Sequence, residues 1–265
     1  MSEAGPEPVY VRQNGAVAEL VLNRPATLNS INSEMAAELQ RLLEGIRVDS
    51  ACRCLVITGT GRGFCSGQEL GEGATSGALP SDIATIVRAV YIPIVERIRT
   101  LPIPVVAAVN GVAAGAGLSL ALTADLRVAS SEAYFACGFS RIGLVPDSGA
   151  SWFLPRAIGY ARAYELTVIG RRLSAAEALE WGLVNRVFSV GEFRDDYMRL
   201  ANEIAAGATR AHELAKFAFN ESFTNSLSQQ LELEARLQQQ AAATADFAEG
   251  LAAFRGKRPP QFTGR

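Results

Sequence analysis

Three stretches of this 265-residue chain combine residue types that could do chemistry. The first is PVVAAVNGVAAGAGLSLALTAD, residues 104–125. Its apolar opening, Pro104 to Val109, reads as a buried strand. Asn110-Gly111 breaks that strand, and Gly115-Ala116-Gly117 then feeds an apolar helix over 118–123. A glycine-rich turn at a helix start leaves backbone N–H groups without partners at the positive end of the helix dipole. Such a place suits an anion, either a phosphate or the oxyanion of an enolised thioester. The same small residues would also serve a tightly packed strand–helix corner. The second stretch, GTGRGFCSGQEL, holds four glycines between Gly59 and Gly67 and is another place where backbone could reach a ligand. It has neither the dinucleotide-binding spacing nor the Gly-Lys-Ser/Thr of a P-loop. The third is GFSRIGLVPDSGASWFLPR. Here Asp147 precedes an expected helix start, among Ile142, Leu144, Val145, Trp152, Phe153 and Leu154. Two jobs fit it: a helix N-cap, or a carboxylate made basic by an apolar pocket and used as a proton shuttle.

What the chain lacks narrows the chemistry further. It has one histidine, His212, which leaves little for a metal site and removes most Ser-His-Asp and Cys-His schemes. Acid–base work near neutral pH then falls to a carboxylate in a special environment. The four cysteines, Cys52, Cys54, Cys65 and Cys137, have neither disulfide-framework nor zinc spacing. A net charge of −2 gives no electrostatic case for nucleic acid or an anionic membrane. No apolar run reaches the ~18 residues of a membrane span, and MSEAGPEPVYVRQ has no signal-peptide pattern. The expectation is a reduced, cytoplasmic, metal-free protein.

The elements that would position these stretches follow from periodicity. Residues 1–8 read as a frayed arm. Strands over 9–12 and 17–22 flank Asn14-Gly15, a hairpin signal. Residues 26–32 form a loop. Ser33 caps a helix to about Val48, with Met35, Leu39, Leu42, Leu43 and Ile46 on one face. A strand over 52–58 follows, and strand–helix–strand order makes it a sheet partner of 17–22. Residues 71–79 read as an exposed loop, and a helix runs from Ser81-Asp82 to about Thr100, kinked or broken at Pro93. Short strands over 125–130 and 133–136 precede the Asp147 stretch. Helix 160–169, a capping box at Ser174–Glu177 opening a helix to Trp181, and a strand over 183–188 come next. Amphipathic helices over about 192–206, 209–220 and 227–253 lead to a basic, proline-rich tail.

NRPATLNSIN, GRGFCSGQEL, AAVNGVAAGAGLSLAL, GLVPDSGASWFLPR, LSAAEALEWGLVNRV and PQFTGR follow one another at the spacing of the crotonase (enoyl-CoA hydratase/isomerase) superfamily, which the chain resembles over nearly its whole length. VPDSGASWFLPR and PQFTGR are most similar to its ring-1,2-epoxyphenylacetyl-CoA isomerases. The resemblance implies an α/β fold, a spiral of ββα repeats over residues 1–195, and a helical region over 196–265 that assembles trimers or hexamers. It implies an oxyanion hole built from the backbone N–H groups of Gln68 and Ala116. Arg24, Ala26, Leu28, Ser66, Gly67 and Gln68 would meet the CoA thioester, and Phe254 and Lys257 would close over its nucleotide. No separate cofactor is implied, because coenzyme A belongs to the substrate. Glu69 is implied to be structural, and Cys65 reads as a packing residue.

Departures from the family pattern set the expected subclass. The two glutamates that hydratases use align here with Ser119 and Phe139. Asp147 stands where several isomerases of the family keep one carboxylate, and one base suffices to move a proton along an acyl chain. The reading is an acyl-CoA isomerase that shifts a double bond or opens a ring epoxide, with Asp147 as acid/base. The alternatives are a hydratase-like activity, a dehalogenase with Asp147 as nucleophile, and a non-catalytic acyl-CoA- or RNA-binding relative.

Overall fold

The computed structural model describes residues 7–69 and 83–265. Two sheets carry the fold. The larger contains, in spatial order, β1 (Val9–Asn14), β2 (Val17–Leu22), β3 (Cys54–Gly59), β5 (Val105–Val109), β7 (Leu126–Ser130) and β10 (Arg186–Phe188). The smaller contains β4 (Gly63–Cys65), β6 (Val112–Ala114), β8 (Tyr134–Ala136) and β9 (Arg172–Ser174). β1 and β2 form the antiparallel hairpin that Asn14-Gly15 predicts, with Gly15 at φ 60°. The remaining pairs of the large sheet are parallel. The pairs β3–β4, β5–β6 and β7–β8 each send one strand to each sheet, which is the ββα spiral expected from the sequence.

Helix α1 (Ser33–Val48) packs Met35, Leu39, Leu43 and Ile46 into the core against one face of the large sheet. Its cap is Asn32, whose side chain accepts the Met35 N–H at 2.9 Å, so the cap lies one residue before Ser33. The helix expected to kink at Pro93 is α2 (Ile83–Ile86), a π turn over Val87–Tyr91, and α3 (Ile92–Thr100). The helix runs through Ile92 in αR conformation, so Pro93 offers no N–H to Ala89, and the irregularity expected at Pro93 takes the form of the π turn that contains Ala89. The 71–79 loop and the Ser81-Asp82 start lie outside the described residues. Helix α4 (Ala116–Thr123) is buried at all eight positions, two residues longer than its expected start at Leu118. Next come α5 (Ala150–Ile158), α6 (Tyr160–Ile169) and α7 (Ala175–Glu180), the last opened by the Ser174–Glu177 capping box. β10 is shorter than the expected 183–188 strand, because the Leu183 and Val184 N–H groups turn back onto Ala178 O at 2.8 and 3.2 Å.

Helix α8 (Phe193–Ala205) covers the opposite face of the large sheet, setting Phe193, Tyr197, Leu200, Ala201 and Ala205 against Val17, Cys54, Val56, Val106, Ala108 and Val128. The division at residue 195 falls inside this helix. α9 (Thr209–Glu221), α10 (Leu227–Ala242) and α11 (Ala245–Gly256) follow. The expected single helix over 227–253 is broken, because the Thr244 hydroxyl takes the Phe247 N–H at 3.1 Å and starts a new helix. Among the described residues no helix is long and apolar enough to cross a membrane.

Two polar clusters tie the C-terminal helices to the sheet. Buried Lys216 on α9 donates to Ile98 O at 3.0 Å and Ile103 O at 3.3 Å, and pairs with Asp125 Oδ2 at 2.9 Å. Asp125 also pairs with Arg99 at 3.0 Å and accepts the Val105 N–H at 2.9 Å, so one carboxylate fixes the start of β5, the end of α3 and the seat of α9. Beside β3, Arg53 donates to Gly207 O, Thr209 Oγ1 and Phe262 O at 2.5 to 3.1 Å. Removing one member of a buried ion pair leaves the other without its counter-charge. Lys216→Ala should therefore cost roughly 3 kcal/mol of unfolding free energy in a urea titration. A loss below about 0.5 kcal/mol would mean that this contact is worth no more than an exposed ion pair.

Candidate active site

The loop that precedes α1 and the turn that follows β4 are sewn together. Leu28 and Asn29 take φ of 54° and 57°. Asn29 accepts the Arg24 N–H at 2.7 Å and donates to Thr60 O and Gly63 O at 3.0 and 2.7 Å. Ser66 donates its N–H to Leu28 O and its hydroxyl to Thr27 O, both at 3.0 Å. Ile31 N–H reaches Gly67 O at 2.8 Å, and Glu69 N–H reaches Ile31 O at 2.9 Å. These bonds bring Arg24, Ala26 and Leu28 alongside Ser66, Gly67 and Gln68. The Arg24 guanidinium is committed to Glu69 at 2.9 Å and Ser30 O at 2.6 Å, which gives Glu69 a structural partner.

The same turn is pressed against the N-terminus of α4, and glycine makes this possible. A Cβ on Gly117 would stand 2.0 Å from Cys65 O. One on Gly67, at φ 102°, would stand 3.0 Å from Ala114 O and 3.2 Å from the Ala116 nitrogen. Gly115, at φ 52°, is the N-cap of α4 and supplies no side-chain cap. The Gln68 N–H directly follows Gly67, whose Cβ position is 3.2 Å from the Ala116 nitrogen, and neither the Gln68 nor the Ala116 N–H has an acceptor among the described residues. Two such donors at a helix N-terminus form a ready cradle for a carbonyl oxygen that gains charge. Cys65 beneath it is fully buried, and burial pushes its thiol up to about 12, as a packing residue requires.

Asp147 lies across from this cradle, and it is not a helix cap. The N-cap of α5 is Gly149, with no side-chain bond. Ser148 and Gly149 both have positive φ, 52° and 86°. The Asp147 carbonyl accepts the Ala150 N–H at 2.9 Å and the Ser119 hydroxyl at 3.0 Å. Among the described residues the carboxylate accepts only the Ser148 hydroxyl, at 2.9 Å. Burial pushes the half-buried Asp147 carboxyl above its usual value, and the Ser148 bond pulls it partly back. Of the apolar neighbours expected from the sequence, Leu154 is buried and Phe153 packs against Gly149, but the other four are exposed. Val145 is 76% exposed, and Ile142, Leu144 and Trp152 also face solvent, because the 3₁₀ turn over Phe139–Ile142 runs along the surface. The Ser119 hydroxyl of α4 holds the Asp147 carbonyl, and the Tyr91 phenol lies near enough to feel the carboxylate charge.

Ser119 and Phe139 are both buried, Ser119 completely. Tyr91 is the site residue that sequence reasoning missed. Its hydroxyl donates to Gln68 Oε1, and an aromatic residue in an apolar helix gives no sign of such a bond. Phe254 is 81% exposed and Lys257 is an exposed left-handed C-cap at the end of α11, so within one chain neither closes over a ligand.

This two-sheet ββα spiral is a crotonase fold. Residues 12–265 match the family described as Enoyl-CoA hydratase/isomerase, and the chain belongs to it. It is 45% identical to the 1,2-epoxyphenylacetyl-CoA isomerase of Escherichia coli (strain K12), over 94% of this chain and 95% of that protein. It is 43% identical to a Rhodobacter capsulatus protein named "Probable enoyl-CoA hydratase", over 94% and 95% of the two chains. The solved enoyl-CoA hydratase from Bacillus anthracis superposes with a TM-score of 0.91 at 34% identity, covering 97% of this chain and all of that one.

The raised carboxyl carries a consequence for stability. For an acid whose folded-state pKa lies above its unfolded value, the cost of the buried charge is full above the folded pKa. It disappears below the unfolded pKa, about 3.9 for Asp. Asp147→Asn should therefore raise the melting temperature at pH 8 and raise it less at pH 5. A variant that melts lower than wild type at pH 8 would contradict the burial account.

Proposed function

We propose that the chain is an acyl-CoA isomerase. The thioester oxygen lies between the Gln68 and Ala116 N–H groups, and Asp147 takes a proton from the acyl group and returns it to another carbon. The observation that carries this reading is the pairing of one raised carboxylate with the cradle, while Ser119 and Phe139 occupy the two hydratase glutamate positions. Hydration must both activate water and protonate carbon. One carboxylate cannot readily do both at once, whereas a proton shift uses the same group twice. The enolate formed between the two proton transfers places its charge on the thioester oxygen, where each N–H donor is typically worth ~3 kcal/mol. The thioester is the electron sink, so no separate cofactor is needed. By analogy with the Escherichia coli relative, a ring epoxide is the second substrate type proposed.

Arg24, Ala26, Leu28, Ser66 and Gly67 are proposed to hold the CoA moiety through their backbone, with Phe254 and Lys257 meeting the nucleotide. The exposed Phe217, Phe219, Phe223, Leu227 and Leu231 of the α9–α10 region support assembly into trimers or hexamers. A cytoplasmic setting accords with four free cysteines, all buried. The relatives named as hydratases supply the second reading.

Absorbance of the conjugated thioester separates the two. Wild type should convert a 3-enoyl-CoA and leave a 2-enoyl-CoA unhydrated, and Asp147→Asn should lose at least ~100-fold in kcat. Fast hydration, or full activity in the Asn variant, would sink the isomerase reading. Gly67→Ala tests the cradle separately. Its methyl would crowd the Ala116 nitrogen, and the loss should again reach ~100-fold. Near-wild-type turnover would remove the oxyanion role from this turn.

A further inference from the structure

Tyr91 is left without a task by a mechanism that needs one base and one oxyanion cradle. It ends the π turn over Val87–Tyr91, the kind of irregularity that recurs at functional sites. Its ring belongs to the main core and is 4% exposed. Its hydroxyl nevertheless ends on a side chain, Oε1 of Gln68, whose own N–H forms half of the cradle. One helical turn further on, Val95 comes within 3.8 Å of the Cβ position of Gly149, so the helix bearing Tyr91 faces the Asp147 turn across the site. Burial, then the Cys65 thiol and the Asp147 carboxylate, push the Tyr91 phenol far above its ordinary value, which keeps it protonated and a donor.

A buried hydroxyl costs free energy unless it is bonded, so the Tyr91 O–H needs a partner whether or not a ligand is bound. The partner Tyr91 has is adjustable. The Gln68 side chain is exposed, and its Nε2 reaches Glu69 O at 3.3 Å. A half-turn of that amide would place an N–H on the phenol oxygen and release the phenol proton for another acceptor. We propose that Tyr91 is a specificity-determining residue whose O–H donates to an oxygen carried by the acyl group close to the thioester. The site then favours oxygenated acyl thioesters over their hydrocarbon counterparts. This deepens the isomerase reading, on which it rests for the acyl group lying between the cradle and Asp147.

Calorimetric titration with 2-hydroxyphenylacetyl-CoA and phenylacetyl-CoA tests it, since neither offers a double bond to move. Wild type should bind the hydroxylated ligand about fivefold to tenfold more tightly, the worth of one neutral hydrogen bond. Tyr91→Phe should lose that preference by weakening the hydroxylated ligand alone, with phenylacetyl-CoA unchanged within about twofold. A wild-type ratio near one overturns the proposal before any variant is made. Equal weakening of both ligands in Tyr91→Phe overturns it too, because Tyr91 would then only brace Gln68. The two readings fail separately. A 3-enoyl-CoA left unconverted beside an intact binding preference removes the isomerase and keeps Tyr91; conversion without a preference removes Tyr91 alone.

Discussion

The structure depends on a backbone-to-backbone contact with no room for a side chain. The carbonyl of Cys65 sits where a Cβ of residue 117 would be, 2.0 Å away. Only glycine permits this, and the contact fixes how near the turn after β4 comes to the start of α4. Insert a methyl and one of the two must retreat, which parts the Gln68 and Ala116 N–H groups. A hydrogen bond weakens steeply over such a displacement, so the cradle works at one separation only. The small sheet serves this contact. Its strands are three residues each, and β4 and β6 pair directly beneath the two N–H groups.

Asp147 shows the opposite economy. A carboxylate half-buried and holding one hydroxyl would relax toward water if its backbone were free. It is held by its carbonyl, through Ser119 and the Ala150 N–H, and by two successive residues at positive φ. Ser148 at φ 52° stores strain of order 1 kcal/mol that the surrounding packing must offset. Ser119, at the position that aligns with the first hydratase glutamate, thus fastens the backbone of Asp147. A glutamate at 119 would both lose this bond and set a like charge beside Asp147, raising the cost of ionising either.

Much of this was legible in the sequence, for reasons specific to each element. Asn14-Gly15, the Ser174–Glu177 box and the apolar runs of β2, β3 and β5 are local signals, and their elements form as expected. The glycines at 67, 115 and 117 point in the sequence both to an anion site and to close packing, and the structure shows the close packing at Gly67 and Gly117. β4, β6 and β9 were not foreseen, because three residues carry no period. The surroundings of Asp147 were misread for a related reason. Ile142, Leu144, Val145 and Trp152 are exposed although Leu154 is buried, while the residues that hold or sense Asp147, Ser119 and Tyr91, lie 28 and 56 positions away. The Tyr91–Gln68 bond had no sequence signal at all.

Arg53 gives the fold a clock. Its guanidinium, at the edge of β3, is satisfied by acceptors 154, 156 and 209 residues further along the chain. At ribosomal speeds of ~5–20 residues per second, the most distant of these follows Arg53 out by roughly 10–40 s. α8 can cover the face of β3 well before then, but Arg53 gains its last acceptor only when the C-terminal segment has emerged.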